Sequence, residues 1–375
     1  MALNQVGLER LNTATTDKIG TNKNIIINGS MQVAQRGTSS TSTGFGSVDR
    51  FQISYSGTDE APTQAQASVA SGTTPYSLGF RKSFKITNGN QTSGAGATDH
   101  IQTIYTIEDQ DLATSGWNYT SSSSYVTLSF YIKSSIAQNF YFYLQSDNGS
   151  QYRYVMETGS LSADTWTKVT KTISGNSNIV LNSDNGVGMY LVYSLFDGTD
   201  RTGTRPLNAW AALDNTSRTP DQTSTWYTTN DSTWEITGVQ LEVGDTATSF
   251  EHCSYAEELI RCMRYYEHSY NDGVVPGVSS NLGGYYQNLV SDSGGNAAFS
   301  IEYKVRKRSA PVTSKFYADD GTANQWDYNG SSVSSGKATV TYHRNSQTHL
   351  NAYLPIGAQW IPCYVLGHWT VDAEL

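Results

Sequence analysis

The sequence runs to 375 residues with 24 basic against 33 acidic side chains, a formal charge of −9, and only 37% hydrophobic and 15% charged residues. That length exceeds one domain of ~100–200 residues and suits two, each with its own core. The missing apolar and charged share is filled by Gly, Ser, Thr, Asn and Tyr, which excludes a mainly helical fold, and the acidic balance argues against a nucleic-acid partner, whose phosphates it repels.

Residues 1–22 carry spaced apolar positions, Leu3, Val6, Leu8, Leu11 and Ile19, among polar ones. Alone they bury almost nothing, so the expectation is a short helix or hook docked on another subunit. The segment lacks the basic and apolar regions of a signal peptide, and no apolar stretch in the chain approaches ~20 residues, so neither standard secretion nor membrane insertion is expected. Cys253, Cys262 and Cys363 form no disulfide framework and no C-x-x-C pattern, which fits synthesis in a reducing cytoplasm.

From Asn24 the texture changes to short runs punctuated by turn residues. Runs at 25–29, 48–53, 79–86, 125–132, 140–144, 166–173, 188–193 and 234–242 read as strands. Alternation within them gives one buried and one wet face, as in antiparallel sheets packed into a sandwich. Connections at 37–47, 68–77 and 89–98, rich in Ser, Thr and Gly, read as surface loops. Ser254-Tyr-Ala-Glu257 fits a capping box, and Leu259, Cys262, Met263 and Tyr266 recur at helical spacing, which predicts a helix over 254 to about 268. Its stripe would pack on its own sandwich or against symmetry mates. Strand runs resume at 299–305, 338–342, 350–354 and 364–366, enough for a smaller second sandwich. Within this part Lys304, Arg306, Lys307 and Arg308 alternate with Tyr303 and Val305, and read as a solvated strand face before a phosphate site.

Two motifs carry a resemblance. Asn24-Ile-Ile-Ile-Asn-Gly-Ser-Met-Gln-Val-Ala-Gln-Arg-Gly-Thr38, followed by Val48-Asp-Arg-Phe51, resembles the opening of phage and prophage tail proteins, particularly those of marine and cyanobacterial phages. Trp234-Glu-Ile-Thr-Gly-Val-Gln-Leu-Glu-Val-Gly-Asp-Thr-Ala-Thr-Ser-Phe-Glu251, running into Tyr255–Tyr266, is similar to the same proteins and looks like the last strand of carbohydrate-binding-module jelly rolls. The final hundred residues join the resemblance mainly through the Arg-rich strand and Trp369–Leu375. It implies a tail fibre or adhesin of the virion, commonly a homotrimer attached through its N-terminus.

The expected fold is therefore all-β: an anchoring segment 1–22, a jelly-roll-like β-sandwich 23–252, a connecting helix 253–270 and a C-terminal β domain 271–375 that contacts the host. The expected function is attachment to host surface polysaccharide or lipopolysaccharide, strengthened by multiple copies. The alternative is a purely architectural head fibre or capsid decoration.

Catalytic fingerprints are missing from the sequence, and the histidines are scattered at 100, 252, 268, 343, 349 and 368, so no enzyme and no cofactor is expected. Asp197-Gly-Thr-Asp200 and Asp319-Asp-Gly321 fit ordinary turns better than a Ca²⁺ loop, and no metal is assigned. Aromatic residues in loops are the candidate ligand contacts, because Tyr and Trp offer a flat apolar face beside a polar tip, as a sugar requires. They are Tyr285, Tyr286, Trp326, Tyr328, Trp117, Tyr119, Trp226 and Tyr227, each of which would otherwise cap a sandwich end or fill a trimer interface. Trp166 and Trp234 lie within strand patterns and read as core.

Overall fold

Alternation decides which faces meet. In β6 (Tyr125–Ser134) Val126, Leu128, Phe130 and Ile132 are buried on one side, and in β10 (Val187–Asp197) Met189, Leu191, Tyr193 and Leu195 do the same. The computed structural model, which describes residues 23–375 with the backbone alone at Tyr342 and His343, packs these two faces together. The expected anchoring segment, residues 1–22, lies outside the described residues.

The first sheet runs β1 (Ser39–Ser40), β3 (Thr63–Ser68), β4 (Lys82–Thr87), β12 (Thr233–Val243), β6, β9 (Thr167–Ser174). The second runs β11 (Trp210–Ala212), β8 (Tyr152–Glu157), β7 (Tyr141–Ser146), β10, β5 (His100–Glu108), β2 (Phe51–Ser56). All neighbours are antiparallel. At the centre Phe130 meets Phe142 and Tyr193 edge-on, each at 5.1 Å between centroids, and Tyr193 meets Trp234 at 5.5 Å. Such contacts add to the roughly 1.5–3 kcal/mol that burying each large apolar side chain contributes. A bulge interrupts β12 at Gly238, where φ is +65° and a Cβ would lie 2.6 Å from the Phe80 ring. Only glycine fits there.

The second core belongs to the C-terminal part. Here β21 (Pro362–Asp372) is flanked over its first half by β14 (Tyr285–Val290) and β17 (Gln325–Gly330), and over its second by β13 (Tyr266–His268) and β16 (Thr313–Tyr317). β18 (Val333–Thr339) extends the sheet beyond β17, and a three-stranded sheet of β15 (Asn296–Glu302), β20 (His349–Pro355) and β19 (Thr341–Asn345) covers the other side of Phe299, Trp326, Leu350 and Val365. The chain is thus all-β, as expected.

Three local expectations are corrected. Residues 25–29 form a turn, because Asn28 adopts a φ of +60° and its side chain holds the chain in place, donating to the carbonyls of Val33 (2.9 Å) and Asp49 (3.0 Å) and accepting from the Val33 amide (3.0 Å). The helix spans Tyr255–Met263 with its capping box formed, and Tyr266–His268 leaves it to pair with β21. Its Cys262, with Tyr265 just beyond, packs on Ile27 and Val33, so the buried side faces its own sandwich. The basic segment after β15 is no strand, and only part of it is solvated: Lys304 and Arg306 are exposed, but Lys307 is fully buried, with Nζ 2.5 Å from the Glu267 carboxylate.

Candidate functional site

In β14 the side chains of Tyr285, Gln287 and Leu289 turn inward while Tyr286, Asn288 and Val290 turn out, the plain consequence of a period of two. Register then assembles an outer face. Tyr286 lies opposite Leu366 and Asn288 opposite Tyr364 on β21, Asn329 of β17 also faces Tyr364, and Asp327 pairs with Lys337 of β18. The Tyr286 and Tyr364 rings sit 5.3 Å apart with planes inclined by 34°. Tyr286 donates its hydroxyl hydrogen to Asn288 Oδ1 (3.2 Å), and Asn329 Nδ2 donates to the Tyr364 hydroxyl (3.1 Å).

Two shallow depressions share Tyr364 as a border. One, of about 440 Å³, lies among Asn288, Asn329, Ser331 and Pro362, and the other, of about 370 Å³, among Asp327, Ser335, Lys337 and Leu366. Tyr286 is 58% exposed and Val290 62%. The same end of the sheet carries Trp360, 67% exposed, in the loop before β21. Its φ of +54° is a strained setting for a bulky residue. Ser291 pins this loop, its Oγ donating to the Ala358 carbonyl (2.6 Å) and accepting from the Ile361 amide (3.1 Å).

Of the eight aromatic residues expected as contacts, Tyr286 alone is mostly exposed. Trp326 is fully buried between Tyr285 (5.2 Å) and Phe299 (4.5 Å), and its Nε1 donates to the His368 carbonyl (2.8 Å). Tyr285 and Tyr328 are half-buried against the same core. Trp117 is buried at one end of the sandwich core with Tyr119 packed beside it. Trp226 and Tyr227 are buried too, the first donating to the Thr233 carbonyl (3.0 Å) and the second stacked on Phe196 at 4.3 Å with its hydroxyl on Asp99 (3.0 Å). Tyr364, Asn288, Asn329 and Trp360 were missed by sequence reasoning, although the alternation of Tyr285–Val290 would have separated an outward Tyr286 from an inward Tyr285.

Chemically this face combines aromatic rings with amide donors and acceptors. Rings of this kind offer a flat apolar face, the amides offer both donors and acceptors, and the charged groups Asp327 and Lys337 sit at the side. Among the described residues no group of three or more His, Cys, Asp or Glu side chains could hold a metal ion, and no helix is long and apolar enough to cross a membrane.

No family model and no curated protein matches the sequence. Among solved structures the chain is similar to the enzymatically active domain of tailspike protein 4 of bacteriophage CBA120, with 12% identity and a TM-score of 0.33 over 59% of this chain and 22% of that one. It is similar to a xylan-binding domain from Paenibacillus barcinonensis, with 9% identity and a TM-score of 0.27 over 60% of this chain and 96% of the other. A family 11 carbohydrate-binding module from Clostridium thermocellum, in complex with a mixed-linked tetrasaccharide, matches at 11% identity and a TM-score of 0.26 over 58% and 99%. Scores of this size carry no argument about ligand or role.

Proposed function

We propose that the chain is a non-enzymatic attachment component of a phage virion, which binds a host surface polysaccharide or lipopolysaccharide through the outer face of β14, β21 and β17. The observation that carries the reading is the exposed Tyr286 ring packed on the half-buried Tyr364, framed by Asn288 and Asn329. An exposed aromatic ring beside amides that keep further donors and acceptors favours a neutral, ring-shaped polar ligand over a protein core or a phosphate. The sequence motifs at 24–38 and 234–251 supply the phage assignment. Weak single sites gain strength when three chains and several fibres act together, so a homotrimer attached through residues 1–22 completes the proposal.

The test is binding of the purified full chain to an array of bacterial surface polysaccharides. Saturable binding that is lost in Tyr286→Ala and Tyr364→Ala, with unchanged melting temperatures, supports the reading. Binding to capsid or tail parts alone supports the architectural alternative, and release of reducing ends overturns the non-enzymatic assignment.

A further inference from the structure

The outer face of the second sandwich sheet lies far in sequence from the face of β14, β21 and β17 and carries a different chemistry. Alternation places Arg153 of β8, Gln145 and Tyr143 of β7, and Tyr190 and Ser194 of β10 on this side. The connection from β10 towards β12 folds back over it, bridged at Thr202 and Thr219 and tied down by Gln222, whose Nε2 donates to Ser194 Oγ (2.6 Å). That fold-back delivers Arg201, Arg205 and Arg218 to the face that already holds Arg153.

Among the described residues none of these four guanidiniums has a carboxylate oxygen within 4.0 Å. Arg153 donates to Gln145 Oε1 (2.7 Å) and the Asp214 carbonyl (3.0 Å) and lies 4.4 Å over the Tyr143 ring. Arg201 and Arg205 reach only backbone carbonyls, of Thr98 (3.2 Å) and Ala212 (2.8 Å) among them. The Arg218 side chain makes no hydrogen bond among the described residues, and its Nε, like that of Arg205, is buried without a partner.

The groups feel one another. Burial lowers the proton affinity of Arg153, and Arg205 and Arg218 lower it further. His100 beside them, its Nδ1 buried and unpartnered, is pushed down to about 4 by burial and then by Arg201 and Arg218. Two carboxylates act on the cluster from beyond ion-pair distance, Asp197 on Arg153 and Asp214 on Arg205, and the oxygens of Asp197 are already engaged by Gln102 Nε2 (2.8 Å) and Ser194 Oγ (2.5 Å). Half-buried positive charge without a carboxylate in ion-pair contact is costly, and a guanidinium fork fits the paired oxygens of a carboxylate, sulfate or phosphate. A sugar ring attached to that oxyanion would find Tyr190, half-exposed next to Gln145.

We propose that this face is a second ligand site, which takes an acidic saccharide by its oxyanion, with Arg218 as the principal contact and Arg205 and Arg201 around it. The site is independent of the face of β14, β21 and β17 and stands whether or not that face binds glycans.

Isothermal titration of the full chain with trigalacturonate, galactose 6-sulfate, neutral galactotriose and inorganic phosphate tests it. Saturable binding of trigalacturonate or of the sulfate ester, at least about tenfold tighter than of galactotriose, is expected, and the acid that binds identifies the oxyanion. Arg218→Gln should weaken it about tenfold or more and Arg218→Lys less, while Tyr286→Ala leaves it unchanged. Without ligand, Arg218→Gln should melt no lower than the parent, since no hydrogen bond or ion pair of that side chain is lost among the described residues. A lower melting temperature in that variant, equal binding of galactotriose, binding of inorganic phosphate as tight as of the acidic sugars, loss of binding in Tyr286→Ala, or no binding of either acidic sugar would each overturn the proposal.

Discussion

Arg50, at the entry to β2, is bound through its guanidinium to the carboxylate of Glu374 beyond the end of β21, and both side chains are buried. The same guanidinium lies 3.4 Å over the Tyr265 ring and donates to the Thr106 carbonyl (2.7 Å). Arg36 repeats the arrangement, reaching Asp372 (2.9 Å) and lying 3.7 Å over Tyr266. The stretch around Arg36 and Asp49-Arg50-Phe51, which reads from sequence as a phage-protein opening, therefore clasps the sandwich to the C-terminal domain. Rigid coupling of the two is its physical role.

Glu374→Gln tests the clasp. It leaves Arg50 and Arg36 buried with one anion fewer, and breaking a buried pair from one side costs about 3–5 kcal/mol. Calorimetry should record a fall in melting temperature and the separation of one transition into two, because the domains lose the contact that makes them unfold together. A single unshifted transition would refute the coupling.

A second prediction concerns Trp326. A Cβ on Gly367 would stand 2.2 Å from its Cδ1, so the ring lies flat on bare backbone. Gly367→Ala must push the ring or the strand aside at a cost of about 1–3 kcal/mol, and Trp326→Ala opens a cavity worth about 3–5 kcal/mol. Urea unfolding should move the transition shared by the two clasped parts to lower denaturant in both variants. An unaltered stability in Trp326→Ala would reopen that residue as a ligand contact.

Much of this was legible in the sequence, and the failures have reasons. Strands with one wet face, such as β6 and β9, declared themselves by alternation. The central strand β5 did not, because nearly all of His100–Glu108 is buried on both sides and polar residues such as Gln102 and Thr103 sit inside. For the aromatics, residue type could not separate ligand contact from core. Trp226 sits between polar neighbours that suggest a loop, yet a single helical turn, Thr225–Thr228, tucks its ring under the sandwich. Tyr285 and Tyr286 differ by one position, and strand parity alone sends one inside and the other out. The clasp was invisible, since its partners lie more than three hundred residues apart.

Trp360 gives a third prediction. At φ +54° a side chain costs roughly 1–2 kcal/mol that glycine does not, so Trp360→Gly should raise the stability of the C-terminal domain. The same change removes the exposed tryptophan at the Ser291 end of the β14 and β21 sheet and should weaken polysaccharide binding. Stability up with binding down marks strain retained for function. Stability up with binding unchanged would leave Trp360 without a role in attachment.

Acid sensitivity is the last. His268 is buried between the edges of Tyr266 and Tyr270, its Nδ1 unpartnered among the described residues, and burial pushes it down to about 4. His100 is pushed to about 4 as well, by burial and by Arg201 and Arg218. Both histidines are held neutral in the fold, whereas the unfolded chain takes up protons near 6.5. Between those values the unfolded state binds more protons, so stability is full above about 6.5 and falls as the pH drops towards 4. The loss is at most about 3 kcal/mol per histidine. Melting temperatures measured from pH 7 to pH 4 should decline, and His268→Asn should flatten the decline. A wild-type profile that is level across this range would show that neither histidine is held neutral by its surroundings.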